Sequence, residues 1–227
     1  MKLLAIDTST EACSAALSIN GEISERYEIA PRKHAELILP MIDELLIDAG
    51  CTLAQMDAIA FGRGPGAFTG VRIGAGVVQG LAFSIDRPVV PVSSLAAMAY
   101  GAMTEFSVDN VLAGIDARMG EVYWGAYQRS VDGGVQLLEK ELVCQPTDTF
   151  VPESGGWMGV GTAWQAYGDE LSVRYKGMFG EVHPEQFPRA RDIVALGVIG
   201  FEKGEAVSAD EAQPVYLRNN VAVKKKP

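Results

Sequence analysis

The chain opens with short apolar blocks separated by turn residues. Leu3 to Asp7 reads as a strand, Thr8 to Glu11 as a polar turn, and Ala12 to Ile19 as a second strand; Asn20-Gly21 then leads into a third strand ending near Ile29. Asn-Gly supplies the two positive φ angles of a type I′ turn, so antiparallel hairpins are expected here. The middle of the chain repeats the pattern. Val111 to Asp116 is again an apolar block ending in Ile-Asp, Glu121 to Gln128 is rich in aromatic and β-branched residues, and Asp132-Gly133-Gly134 turns into Val135 to Val143. Ile6-Asp7 and Ile115-Asp116 sit roughly half the chain apart, which suggests a duplicated α/β unit. Two similar domains, 1–107 and 108–227, are expected.

Between the hairpins of the first half the spacing predicts two helices. One runs from about Arg32 to Ala49, where Leu37, Ile38, Met41, Ile42, Leu45 and Leu46 form two adjoining apolar stripes. Pro40 removes a helix hydrogen bond, so a kink is expected. Either both stripes pack on the chain's own sheet or one of them meets another protein. The other helix follows the strand Asp57 to Phe61 and the run Gly62-Arg63-Gly64-Pro65-Gly66-Ala67-Phe68-Thr69-Gly70-Val71-Arg72-Ile73-Gly74, and continues to about Ser84. Within it, Gly70, Gly74, Gly76 and Gly80 each cost about 1 kcal/mol relative to Ala, and close helix packing is the expected compensation. The second half is less regular. It carries a strand at Trp157 to Val160, a short helix from Ala163 to Leu171, a loop punctuated by Pro184 and Pro188, and a helix from about Ala190 to Glu202; Ser208 caps a last turn. Gly161 either admits an adenine or simply ends a strand.

Charge narrows the function. Nineteen Lys and Arg against 29 Asp and Glu give a net charge of −10, so the surface repels polyphosphate and is unsuited to binding nucleic acid alone. Lys224, Lys225 and Lys226 form the one basic run, read as a solvated end or a docking aid. Cys13, Cys51 and Cys144 are odd in number and in no metal-ligand spacing, which fits a reducing cytoplasm. Asp7 and Glu11 interrupt what would imitate a signal peptide, and no stretch approaches eighteen uninterrupted apolar residues, so no membrane span is expected. With His34 and His183 as the only histidines, a three-histidine metal site is impossible. There is no His-Glu-x-x-His, Gly-x-Ser-x-Gly or Walker-type loop. The glycine-rich run also misses the strict Gly-x-Gly-x-x-Gly pattern, because Ala67, Thr69 and Gln79 stand where its last glycine would fall.

A strand ending in Asp-Thr-Ser, a hairpin, the 62–74 run and Ile115-Asp116-Ala117-Arg118-Met119-Gly120-Glu121-Val122-Tyr123 together resemble the bacterial TsaB (YeaZ) family. The resemblance implies a duplicated actin-like ATPase fold (ASKHA, ribonuclease H-like) with mixed sheets. It also implies a part in forming threonylcarbamoyladenosine at position 37 of tRNAs reading codons that begin with A. In that family the transfer belongs to a paralogue, TsaD, which carries iron or zinc, and a small ATPase, TsaE, joins the pair. The paralogue's two metal-binding histidines correspond here to Ser94 and Met98, poor ligands beside imidazole, so no metal site is expected. Asp7, Thr8, Ser9 and Asp116 outline a weakened, vestigial nucleotide site. Ala117, Arg118 and Met119 crowd its second side, and Arg118 is expected to pair with Asp7 or Glu121.

The resemblance therefore implies a cytoplasmic scaffold with no catalytic residues and no cofactor of its own, ATP or ADP entering only in the assembled complex. Its partners would be a TsaD-like paralogue and a TsaE-like ATPase, with a homodimer forming when it is alone, tRNA reached through the complex, and no membrane contact. The contact surface is expected at Leu37, Ile38, Met41, Ile42, Leu45, Gly70 and Gly74. Two alternatives remain: an actin-like ATP-dependent phosphotransferase and a glycoprotease-like metallohydrolase.

Overall fold

The computed structural model describes residues 1–218; Lys224, Lys225 and Lys226 lie outside the described residues. Strands β1 (Lys2–Asp7), β2 (Ala12–Ile19) and β3 (Glu22–Ile29) form an antiparallel meander, with Asn20 at φ 53° and Gly21 at φ 92° making its second turn. Helix α1 (His34–Asp48) follows, then β4 (Ala58–Gly62), α2 (Phe68–Ile85), β5 (Val89–Val92) and α3 (Ser94–Phe106). β4 and β5 add in parallel beside β1, giving the order β3-β2-β1-β4-β5.

The second half repeats this arrangement. A second meander, β6 (Asn110–Arg118), β7 (Glu121–Arg129) and β8 (Val135–Cys144), is extended by β9 (Trp157–Val160) and β10 (Phe179–His183) into a sheet of order β10-β9-β6-β7-β8. The short helices α4 (Thr162–Ala166) and α5 (Gly168–Arg174) lie between β9 and β10, and α6 (Ala190–Glu202) comes last.

The inner strands β1, β2, β4, β6, β7 and β9 bury both faces, so their successive residues feed different cores. Leu4, Ile6, Ile59 and Phe61 pack under α1 and α2, whereas Leu3, Ala5, Ala58 and Ala60 meet Ile193 and Val194 of α6. In the second sheet Val111, Ala113 and Ile115 meet Leu95, Met98 and Met103 of α3, while Leu112, Trp124 and Trp157 pack with Trp164, Leu171 and Tyr175. A split at 107/108 thus separates the two sheets but not their layers. α3 belongs to the first half of the chain and covers the second sheet; α6 does the reverse. The Ala190 N–H donates to Ser14 Oγ at 2.9 Å, and Arg189 binds Glu25, pinning α6 to the first hairpin.

Several elements differ from the sequence expectation. α3 was not among the expected helices, although Ser93 caps it by accepting from Ala96 N and its apolar residues have helical spacing. β10 replaces part of an expected loop, and the single helix expected at 163–171 is two, meeting at Tyr167. Both histidines are structural: His34 Nε2 donates to the Ala12 carbonyl at 3.2 Å, and His183 stacks on Phe106 with ring centroids 4.1 Å apart.

Candidate functional site

Between the two sheets opens a cleft of about 940 Å³. The turn after β1 supplies Ser9, Thr10 and Glu11, and the start of α2 supplies Ala67, Phe68 and Val71. The end of β6 contributes Ile115 to Arg118, α4 contributes Thr162 and Gln165, and the last described segment contributes Val215, Tyr216 and Arg218. Of the four residues expected to hold nucleotide, Ser9 and Asp116 line this cleft; Asp7 and Thr8 do not.

Asp7 is sealed beneath the glycine-rich loop. A Cβ on Gly62 would lie 1.8 Å from Asp7 Oδ2, so glycine is required there for the two strand ends to meet. Ser9 donates to Asp7 Oδ1 through both its N–H and its hydroxyl at 2.9 Å. Burial nevertheless pushes the carboxyl up to about 7, against the lowering effect of the serine hydrogen bonds. Thr8 Oγ1 is likewise engaged, donating to the Gly70 carbonyl at 2.8 Å.

Across the cleft, Asp116 is engaged by three protein donors. Its carboxylate accepts from the Arg118 N–H at 2.8 Å, from Arg118 Nη1 at 2.8 Å and from the Tyr167 hydroxyl at 3.3 Å. Arg118 then spans the gap to Glu11 at 3.5 Å. The expected pairing of Arg118 with Asp7 or Glu121 is therefore corrected: Asp7 is buried out of reach, and Glu121 is taken by Arg218. Met119 points away, 79% exposed, and does not crowd the cleft.

The expected contact residues also need correcting. Ile38, Met41, Ile42 and Leu45 are buried in the first core, with Leu37 partly buried against it, because both apolar stripes of α1 face the sheet. The outward side of α1 carries Glu36, Asp43, Glu44 and Asp48 beside Leu39 and Ile47. Gly70 and Gly74 face inward too: a Cβ would lie 2.1 Å from the Thr8 carbonyl oxygen at Gly70 and 2.8 Å from Thr8 Oγ1 at Gly74.

What remains open is the other face of α2, where Phe68, Arg72, Gly76, Gly80 and Phe83 follow one another at helical spacing and are all exposed. A Cβ at Gly76 or Gly80 would touch nothing within 4 Å. By length and composition alone α2 qualifies to cross a bilayer, with mean hydropathy 1.3 over 18 residues, yet 33% of it is buried. This face was legible in the periodicity of the glycine run, but its outward direction was not.

The chain has a sequence relative in Escherichia coli (strain K12), named tRNA threonylcarbamoyladenosine biosynthesis protein TsaB. It is 46% identical over 100% of this chain and 99% of that protein. The chain belongs to the TsaB family. The protein of the same name in Haemophilus influenzae is 43% identical over 100% of the chain and 98% of its own length. The solved structure of YeaZ from Pseudomonas aeruginosa superposes with a TM-score of 0.89 at 47% identity, covering 95% of this chain and 99% of that one. The two five-stranded mixed sheets thus form the duplicated actin-like fold of this family.

The family model matching residues 27–225 is that of TsaD, the tRNA N6-adenosine threonylcarbamoyltransferase. Ser94 and Met98, the positions where the resemblance placed two metal-binding histidines, do not fit a metal ion. Ser94 is fully buried, with a hydroxyl that has no hydrogen-bond partner, and Met98 is buried with its methyl group against Gly161. A Cβ on Gly161 would lie 2.2 Å from Met98 Cε and 2.3 Å from the Gly114 carbonyl, so this glycine serves strand and helix packing. Among the described residues no group of three or more His, Cys, Asp and Glu side chains is placed to hold a metal ion.

Proposed function

We propose that this chain is a non-catalytic subunit in the formation of N6-threonylcarbamoyladenosine at position 37 of tRNA. It would act by docking the outward face of α2 on a TsaD-like catalytic paralogue, with a TsaE-like ATPase joining the pair. The observation that carries this reading is α2 itself, an apolar helix whose exposed side pairs two aromatic rings, Phe68 and Phe83, with two side-chain-free positions, Gly76 and Gly80. Small residues let a second helix approach closely, and the flanking rings supply buried area. Without the paralogue, the same face supports a homodimer. The acidic net charge supports tRNA contact through the partner, and the free Cys13, Cys51 and Cys144 support a reducing, cytoplasmic setting.

The cleft favours a second reading in part, since its volume suits a nucleotide. Against an ATP-dependent phosphotransferase stands the engagement of both strand-end carboxylates, Asp7 under Gly62 and Asp116 by Arg118, which leaves neither open to arrange Mg²⁺.

Reconstitution of the tRNA modification with and without the chain is the deciding experiment. Loss of product on omission, with no turnover by the chain alone, is the expected result. Full modification without it, or ATP turnover by the lone protein, overturns the proposal.

A further inference from the structure

After α6 the chain does not simply trail away. Val207 pairs with Val89 at the edge of the first sheet, Ala212 is buried in the first core, and Gln79 Nε2 of α2 donates to the Ala212 carbonyl at 3.0 Å. The Val215 N–H donates to the Arg63 carbonyl at 2.8 Å, which holds the segment against the glycine-rich loop. Tyr216 lies against Phe68 with ring centroids 5.9 Å apart, and the Arg72 guanidinium sits 3.3 Å from the centre of the Phe68 ring and 5.1 Å from that of Tyr216. All of these contacts are to the first lobe.

Two residues later the segment holds the second lobe. Arg218 binds the Glu121 carboxylate and donates to the Arg118 carbonyl at 3.2 Å. That carbonyl belongs to a turn in which Arg118, Met119 and Gly120 all have positive φ, at 63°, 59° and 78°. Two non-glycine residues held in the left-handed region need surrounding contacts to keep them there. Arg218 supplies one from the chain end and Glu11 another from the opposite lobe.

We propose that residues 212–218 form an inter-lobe latch that couples opening of the cleft to the outward face of α2. The latch runs along the cleft, where Val215, Tyr216 and Arg218 form part of the wall. Parting the lobes breaks the Arg218 contacts or drags Tyr216 off Phe68 and Arg72. Those two residues start the exposed stripe of α2, so a partner seated there meets a surface that the latch arranges. Linkage makes the effect reciprocal: docking that favours the ordered Phe68, Arg72 and Tyr216 group also favours the closed cleft. The coupling rests on the reading of α2 as the partner surface; the latch itself does not.

Hydrogen exchange of the full isolated chain, read by mass spectrometry, tests the latch alone. Arg218→Ala is expected to speed exchange across 116–123 by about fivefold or more, Glu121→Gln to speed it by no more than that, and the double variant to do no more than Arg218→Ala alone. Unchanged exchange in Arg218→Ala, or additive effects in the double variant, overturns the latch whatever the partner does. Affinity for the catalytic paralogue tests the coupling. Arg218→Ala is expected to weaken it by a comparable factor, and an unchanged affinity beside accelerated exchange overturns the proposal. Phe83→Asp, at the far end of α2, separates the two ideas. It is expected to abolish the complex while leaving exchange at 116–123 as in the parent, and an intact complex sinks the α2 reading while leaving the latch to its own test.

Discussion

Gly70 and Thr8 lock the first turn of α2 onto the end of β1. The Thr8 hydroxyl donates to the Gly70 carbonyl at 2.8 Å, and the Thr8 carbonyl oxygen occupies the space that a Cβ on Gly70 would need. The same helix carries glycines of a second kind, Gly76 and Gly80, which meet nothing within the chain. The helix-propensity cost of the inner pair is offset inside the monomer; that of the outer pair is not.

The two kinds of glycine should respond in opposite directions. Gly70→Ala drives a methyl group into backbone and is expected to cost about 2 kcal/mol or more. Gly76→Ala and Gly80→Ala, with open space at the Cβ, should each stabilise the monomer by about 0.5–1 kcal/mol through helix propensity. They should also weaken the complex by holding the partner helix away. Chemical denaturation of the monomer beside calorimetric titration with the paralogue reads both effects, and a Gly76→Ala variant that binds as tightly as its parent counts against close approach at that point.

Charge placed on α1 should distinguish folding from docking. Leu45 is 1% exposed in the first core, so Leu45→Asp buries an unpaired carboxylate and is expected to destabilise the fold by about 4 kcal/mol or more. Ile47 is 76% exposed, and Ile47→Asp is expected to change stability by less than about 0.5 kcal/mol. Circular dichroism melts of the two variants check the contrast. A well-folded Leu45→Asp would contradict the burial.

Two buried carboxyls give stability a definite dependence on pH. Burial raises both Asp7 and Asp192 from 3.8 to about 7. Between those values the folded chain keeps protons that the unfolded chain has lost. The stability they contribute is therefore full below about pH 4 and falls as pH rises through 7. Asp7→Asn keeps an oxygen to accept from Ser9 and removes that group's share, on the order of 4 kcal/mol at most. The melting temperature of the variant relative to the parent is expected to climb between pH 5 and pH 8. A difference that stays flat over that range would mean that Asp7 does not titrate there.

Only part of the cleft was legible before the fold was known, and the misses share one cause. The 62–74 run announced a strand-to-helix loop requiring close approach, and Gly62 over Asp7 and Gly66 against the Ser9 carbonyl meet that requirement. The apolar surplus of α1 left its destination open, and both stripes went to the sheet. Arg118 was placed correctly in the cleft but given the wrong partner, because Glu11 and Asp116 reach it only once the lobes face each other. Nothing local to Tyr216 or Arg218 marks them as part of the cleft wall; α6 first has to carry the chain back to the first lobe.

The strands of the doubled meander, helices α1, α2 and α6 and the lack of a histidine ligand set were settled by the order of residues, since turn chemistry and apolar spacing act over a few neighbours. The exchange of α3 and α6 between sheets, the inward turn of Gly70 and the outward turn of Gly76, and the sealing of Asp7 were settled only by tertiary packing. Periodicity defines a face relative to an element's own axis, whereas what covers that face depends on residues a hundred or more positions away.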